Sequence, residues 1–202
     1  MTLLAGLLFQ TYAVAQNSWD FAVGAPGLEW EVPDTGWYLL KVSGAQGGPA
    51  SNNLHQGGKG ATIQTAVRLE KGVKLNIGVG VMGAKGSQNG IGPSGGGGGG
   101  RSHVVIKDSG ARLVIAGGGG GGASTYGGDG GRADNWDATF SGTNGNGGTL
   151  GNSSSKWGGA GGGGFFSDGG THYDGPNNSD PLISWGGLSY AHGNSGGNAT
   201  GS

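Results

Sequence analysis

Between residues 61 and 81 the chain alternates with a period of two. Ile63, Thr65, Val67 and Leu69, then Val73, Leu75, Ile77, Val79 and Val81, share one parity, while Lys74, Asn76, Gly78 and Gly80 hold the other. Successive side chains of a strand point to opposite faces, so the pattern predicts strands over 61–69 and 73–81, each with a buried and a wet face. Glu70-Lys71-Gly72 joins them, and the spacing predicts a tight hairpin with glycine placed for positive φ. Apolar stretches bounded by turn residues predict further strands at 19–23, 28–32, 37–43, 102–107 and 111–116. Pro33-Asp34-Thr35-Gly36 and Lys107-Asp108-Ser109-Gly110 supply turns between them. No stretch has helical periodicity. The expectation is an all-β fold, an antiparallel β-sandwich built by residues 19–116.

After Ala116 the chain becomes glycine, serine, asparagine and aspartate punctuated by single aromatics, too sparse for a second core. Glycine accounts for 54 of 202 residues, with unbroken runs at 95–100 and 117–122. Fixing glycine backbone costs more entropy than fixing any other residue, so ordered runs need a lattice of backbone hydrogen bonds. Flexible linkers lack apolar periodicity, whereas Val104-Val105-Ile106 and Leu113-Val114-Ile115 adjoin these runs. The paired glycines lack the strict third-residue repeat of collagen. Side-chain-free chains in the extended threefold polyproline II form can approach closely and bond laterally, satisfying their backbone groups. Residues 92–100, 117–123 and 157–164 are the expected polyglycine helices, and long glycine-rich loops fill the rest of 117–202.

Charged residues are 11% of the chain and the formal net charge is −1. That gives little electrostatic drive toward nucleic acid or an anionic membrane, and neither is an expected partner. There is no cysteine, so disulfides and thiolate metal sites are excluded. Residues 1–18 hold an apolar stretch, Leu3 to Phe9, followed by Ala13-Val14-Ala15, which reads as a signal-peptidase site. The alternatives are a cleaved signal peptide or a retained apolar strand that inserts into a neighbour. The stretch is too short for a membrane-spanning helix.

Several strings together carry a resemblance. Tyr38-Leu39-Leu40-Lys41-Val42-Ser43-Gly44-Ala45-Gln46-Gly47-Gly48, then Gly57-Gly58-Lys59-Gly60-Ala61, then Leu75-Asn76-Ile77-Gly78-Val79-Gly80, then Leu113-Val114-Ile115-Ala116 before the second glycine run, resemble the glycine-rich domain of the anaplastic lymphoma kinase and leukocyte tyrosine kinase receptors. Secreted microbial and phage proteins have similar modules. Spanning about residues 19–200, the resemblance implies a jelly-roll, TNF-like sandwich with an inserted bundle of polyglycine II helices, used outside the cell for recognition. It departs from those receptors in having no cysteine and no kinase sequence, so no signalling role or ligand contact is carried over.

Gly95 to Gly100 followed by Arg101-Ser102 imitates a phosphate-binding loop, but a strand follows where the phosphate site needs a helix N-terminus. The second run matches a dinucleotide fingerprint only because every position is glycine. Asp129, Asp134 and Asp137 fall in one glycine-rich loop and are weak calcium candidates, with a spacing that fits no established calcium loop. His55, His103, His172 and His192 are scattered, and no nucleophile elbow accompanies them. No enzyme activity and no cofactor are expected. Asn152, Asn177 and Asn198 begin N-glycosylation triplets. Trp157, Tyr173, Trp185 and Tyr190 are candidates for stacking on sugars or docking on a partner. The sequence points to an extracellular structural protein that self-associates into a filament or surface layer. The alternative is an adhesin that recognises a glycan or a cell-surface receptor.

Overall fold

The computed structural model describes residues 17–22, 27–87, 94–123, 147–148, 159–173, 183–189, 196–197 and 199–200. Among them the chain is all-β, without helix. The strands are β1 (Leu28–Glu31), β2 (Gly36–Ser43), β3 (Thr62–Leu69), β4 (Lys74–Gly78), β5 (Ser102–Ile106) and β6 (Arg112–Ala116). β7 (His172–Tyr173), β8 (Ile183–Ser184) and β9 (Ala199–Thr200) follow. One antiparallel sheet has the order β1-β4-β5-β6 and a second pairs β2 with β3. β7, β8 and β9 form a small antiparallel ladder of their own.

The alternation of the sequence becomes the core. Leu69, Leu75, Ile77, Val104 and Val114 are buried in one cluster with Val32, and Tyr38, Leu40, Val42 and Val67 pack against it. Both sheets thus contribute to the same apolar cluster. Trp30, Tyr38, Trp19 and Phe21 add an aromatic group, with Trp19 and Trp30 centroids 5.2 Å apart and Trp30 and Tyr38 meeting edge-on at 6.0 Å. The Tyr38 hydroxyl donates to the Asp34 carbonyl at 2.6 Å, so the half-buried ring packs its body on the core and satisfies its polar end at the surface.

Two expectations are corrected. The strands around Glu70-Lys71-Gly72 do not pair as a hairpin, because β3 belongs to one sheet and β4 to the other. Gly72 does take positive φ, +83°. Its N–H donates to the Val32 carbonyl at 2.9 Å, Val32 N–H donates to Val73 at 2.9 Å, and Lys71 N–H donates to Thr35 Oγ1 at 3.0 Å. The turn is therefore satisfied by the 32–35 connection, so the two crossovers between sheets brace each other. Residues 19–22 form no strand, and their rings contribute stacking without a ladder. The 107–110 turn joins its strands as expected, closed by Gly110 N–H on the Ile106 carbonyl at 2.8 Å.

At the end opposite these turns, each long strand runs into or out of a glycine segment. Here the backbone hydrogen bonds repeat every third residue. Gly44, Gly47 and Ala50 donate to Ala61, Gly58 and His55 at 2.9, 3.0 and 3.0 Å, while Ala45, Gly48 and Ser51 donate to Gly100, Gly97 and Ser94 at 2.9, 2.8 and 3.0 Å. Ser94, Gly97 and Gly100 in turn donate to Ser87, Ala84 and Val81, and Gly96 and Gly99 to Gly122 and Gly119. Gly98 points a third way, to the Trp185 carbonyl. A strand offers its groups in two directions; these segments offer them in three.

Candidate functional site

β2 alternates strictly between half-buried and exposed positions, so Tyr38, Leu40 and Val42 turn to the core while Trp37, Leu39, Lys41 and Ser43 turn out. β3 presents Arg68, Ala66, Gln64 and Thr62 directly opposite them. Trp37 is 74% exposed and Leu39 59%, an unusual exposure for an indole on a regular strand. Ser43 Oγ and Thr62 Oγ1 are 2.9 Å apart and close one end of the face. Among the described residues neither Lys41 nor Arg68 has a carboxylate partner; the ion pairs there join Lys71 to Asp34, and Lys74 and Lys107 to Glu29. The Glu29 carboxyl is held below its ordinary pKa by its hydrogen bonds to Lys107 and then Lys74. The outer edges of β2 and β3 have no ladder partner among the described residues.

The four-stranded sheet carries a second polar cluster on its outer side. Arg101, just before β5, and His103, on it, are fully buried, and Arg101 Nη1 lies 2.5 Å from His103 Nδ1. A guanidinium only donates, so Nδ1 accepts and the ring proton sits on Nε2. Burial, then the Arg101 charge, pushes the His103 pKa down to about 4. The Arg101 guanidinium also lies over Phe165 at 5.3 Å, and Arg112 over Phe165 and Phe166 at 5.1 and 5.0 Å. These contacts clamp the 165–167 loop onto the sheet. With 0% and 1% exposure, Arg101 and His103 reach no surface at which a ligand could meet them.

Of the residues singled out in the sequence, Trp185 is 42% exposed, and its carbonyl accepts the Gly98 N–H at 3.0 Å. Tyr173 pairs with Ile183 in the β7–β8 ladder, two residues before Trp185, so the structure brings these two backbones side by side. Trp157, Tyr190, Asp129, Asp134, Asp137, Asn152, Asn177 and Asn198 lie outside the described residues. Among the described residues no three His, Asp or Glu side chains are grouped to hold a metal ion, and no helix is long and apolar enough to cross a membrane. The Trp37 face was not singled out in the sequence. Its signal was there: residues 37–40 are apolar at both parities, and a strand facing one core can bury only one of them. Comparison of the chain with protein-family models and with curated proteins gives no match.

Proposed function

We propose that this protein is an extracellular, non-enzymatic structural subunit that assembles with copies of itself into a filament or surface layer. The observation that carries the reading is the pair of eight-residue strands β2 and β3, whose outer edges have no ladder partner among the described residues. An edge is a row of free N–H and C=O groups, and proteins that must stay apart blunt it with proline, bulges or several charges. β2 contains no proline and one lysine, and β3 no proline and one arginine. The apolar segment Leu3 to Phe9 of a neighbouring copy is long enough to add a strand there.

In this reading the two sheets form a jelly-roll-like β-sandwich, and the glycine segments are polyglycine II helices. Three bonding directions per turn support the second point, because three residues per turn is the repeat of that helix. Glycine at the contact points lets neighbouring segments touch and bond laterally through their backbones, which suits a rigid unit that must carry load. Sedimentation velocity of the mature chain, with its mass measured to establish whether residues 1–16 are retained, tests the reading. The expected result is a mature chain that retains residues 1–16 and forms concentration-dependent oligomers, which a chain beginning at Asn17 does not form. A monomer at micromolar concentration overturns it.

An adhesin is the second reading, and one observation favours it. The 51–55 turn meets Ser94 at the far end of the glycine segments, through Ser51 N–H on Ser94, and Ser94 N–H donates in turn to Ser87. Leu54, 71% exposed, stands on that tip, its N–H held by Asn52 Oδ1 at 3.1 Å.

A further inference from the structure

We propose that the outer face of β2 and β3 binds an anionic polysaccharide, with Trp37 as the platform for a sugar ring and Arg68 and Lys41 as the cations that take its carboxylate or sulfate groups. The eight positions of that face are Trp37, Leu39, Lys41, Ser43, Thr62, Gln64, Ala66 and Arg68, and none is acidic. Both cations are exposed and neither is drawn into an ion pair among the described residues, in a chain whose formal net charge is −1. A rigid aromatic ring at 74% exposure, set opposite a guanidinium in the ladder register, matches one sugar bearing an acid group. The ring stacks on its apolar face, and the planar fork takes two oxygens of the anion.

Lys41 lies four residues along β2 from Trp37, about 13 Å at roughly 3.3 Å per residue. One sugar does not reach from Trp37 to Lys41, so the ligand is an extended chain. Gln64 and Thr62 continue the row with neutral hydrogen-bonding groups. A second copy of this face would set Arg68 and Lys41 against their own kind, which disfavours it as a contact between copies. The site uses side chains on the face, whereas the assembly proposed above uses backbone groups along the edges.

The test titrates the full chain with polygalacturonate, dextran sulfate and neutral dextran by calorimetry at low and high salt. The expected result is binding of one or both charged polymers, with the stronger of them naming carboxylate or sulfate, and affinity for neutral dextran at least about tenfold weaker. Trp37→Ala should weaken binding on the order of tenfold, and Trp37→Phe less. Arg68→Gln and Lys41→Gln should each weaken it and flatten its salt dependence. All four changes are at exposed positions, so amide exchange in the core should not move. Failure of both charged polymers to bind, equal binding of neutral dextran, or unchanged affinity in Trp37→Ala and Arg68→Gln overturns the proposal. So does a Trp37→Ala chain that loses self-association while keeping its affinity for the charged polymers. Sedimentation separates the two readings: a monomer that binds polygalacturonate defeats assembly alone, and an oligomer that binds no polymer defeats this site alone.

Discussion

Replacing Gly98 with alanine tests whether the glycine segments are held by close backbone contact. A Cβ there would stand 1.8 Å from the Gly161 oxygen, 2.6 Å from its carbon and 2.8 Å from Gly187 N, all backbone atoms. Reaching the 3.4 Å of ordinary contact from 1.8 Å requires a shift of about 1.6 Å between segments that cannot rotate a side chain away. Two bonds cross this point: Gly98 N–H on Trp185 at 3.0 Å and Gly187 N–H on Gly161 at 3.0 Å. Leaving a buried N–H unsatisfied costs about 1–3 kcal/mol, so orphaning the Gly98 and Gly187 N–H groups destabilises by roughly 2–6 kcal/mol. The lower unfolded-state entropy of alanine offsets about 0.4–1 kcal/mol of that. Gly36→Ala is the control, because nothing lies within 4 Å of its Cβ position and its φ is not positive. Urea unfolding followed by tryptophan fluorescence, with amide exchange at residues 94–100 to catch local opening, measures both. Gly98→Ala should lower the midpoint and speed exchange, while Gly36→Ala should lie within about 1 kcal/mol of the parent. Equal midpoints and equal exchange rates in the two variants would refute the lattice.

His103 makes stability depend on pH. Its pKa is near 4 folded against 6.5 for the free group, so between those values the unfolded chain binds a proton that the folded chain refuses. Stability is thus full above about pH 6.5 and declines as pH falls toward 4, by about 2 kcal/mol at pH 5. Unfolding midpoints from pH 7.5 to 5 should fall in the parent and stay flatter in His103→Gln; parallel slopes would reject the assignment. In the core, Leu75 is 1% exposed among Ile77, Val104 and Val114, and Leu75→Ala should destabilise by about 2–5 kcal/mol by denaturant unfolding, with faster exchange at 94–100 as well.

What the sequence made legible follows from how local each determinant is. The strands at 62–69, 74–78, 102–106 and 112–116 lie inside the predicted ones because apolar parity and turn residues are neighbours along the chain. Pairing is not local. A three-residue turn with glycine at its end reads as a hairpin, and only the Val32 and Thr35 contacts from 36 or more residues away show that it crosses between sheets. Trp19 and Phe21 read as strand from composition, yet they stack on Trp30 without a ladder. The two-residue strands β7, β8 and β9 are too short to carry any period. Arg101 and His103 gave no sign of burial, since polar residues at the start of a predicted strand are ordinarily exposed. Arg101 is covered by Phe165, which is more than 60 residues further along the chain.

The order of the glycine segments and the order of the core depend on each other. β2 leads directly into 44–50, 57–61 leads into β3, β4 continues toward 80–86, 94–100 leads into β5, and β6 leads into 117–123. Each segment therefore leaves the sheets at a position fixed by strand register, and register is fixed by which parity is buried. A lone glycine run has no such anchor, since a chain without side chains can slide past its neighbours and keep the same bonds. Here a slip of one residue in the 94–100 run would have to pull Ser102 away from Gly80, whose N–H it accepts at 2.9 Å, and turn Val104 out of the core. Apolar burial at one end thus selects a single register at the other. Hydrogen bonding alone would leave that register degenerate.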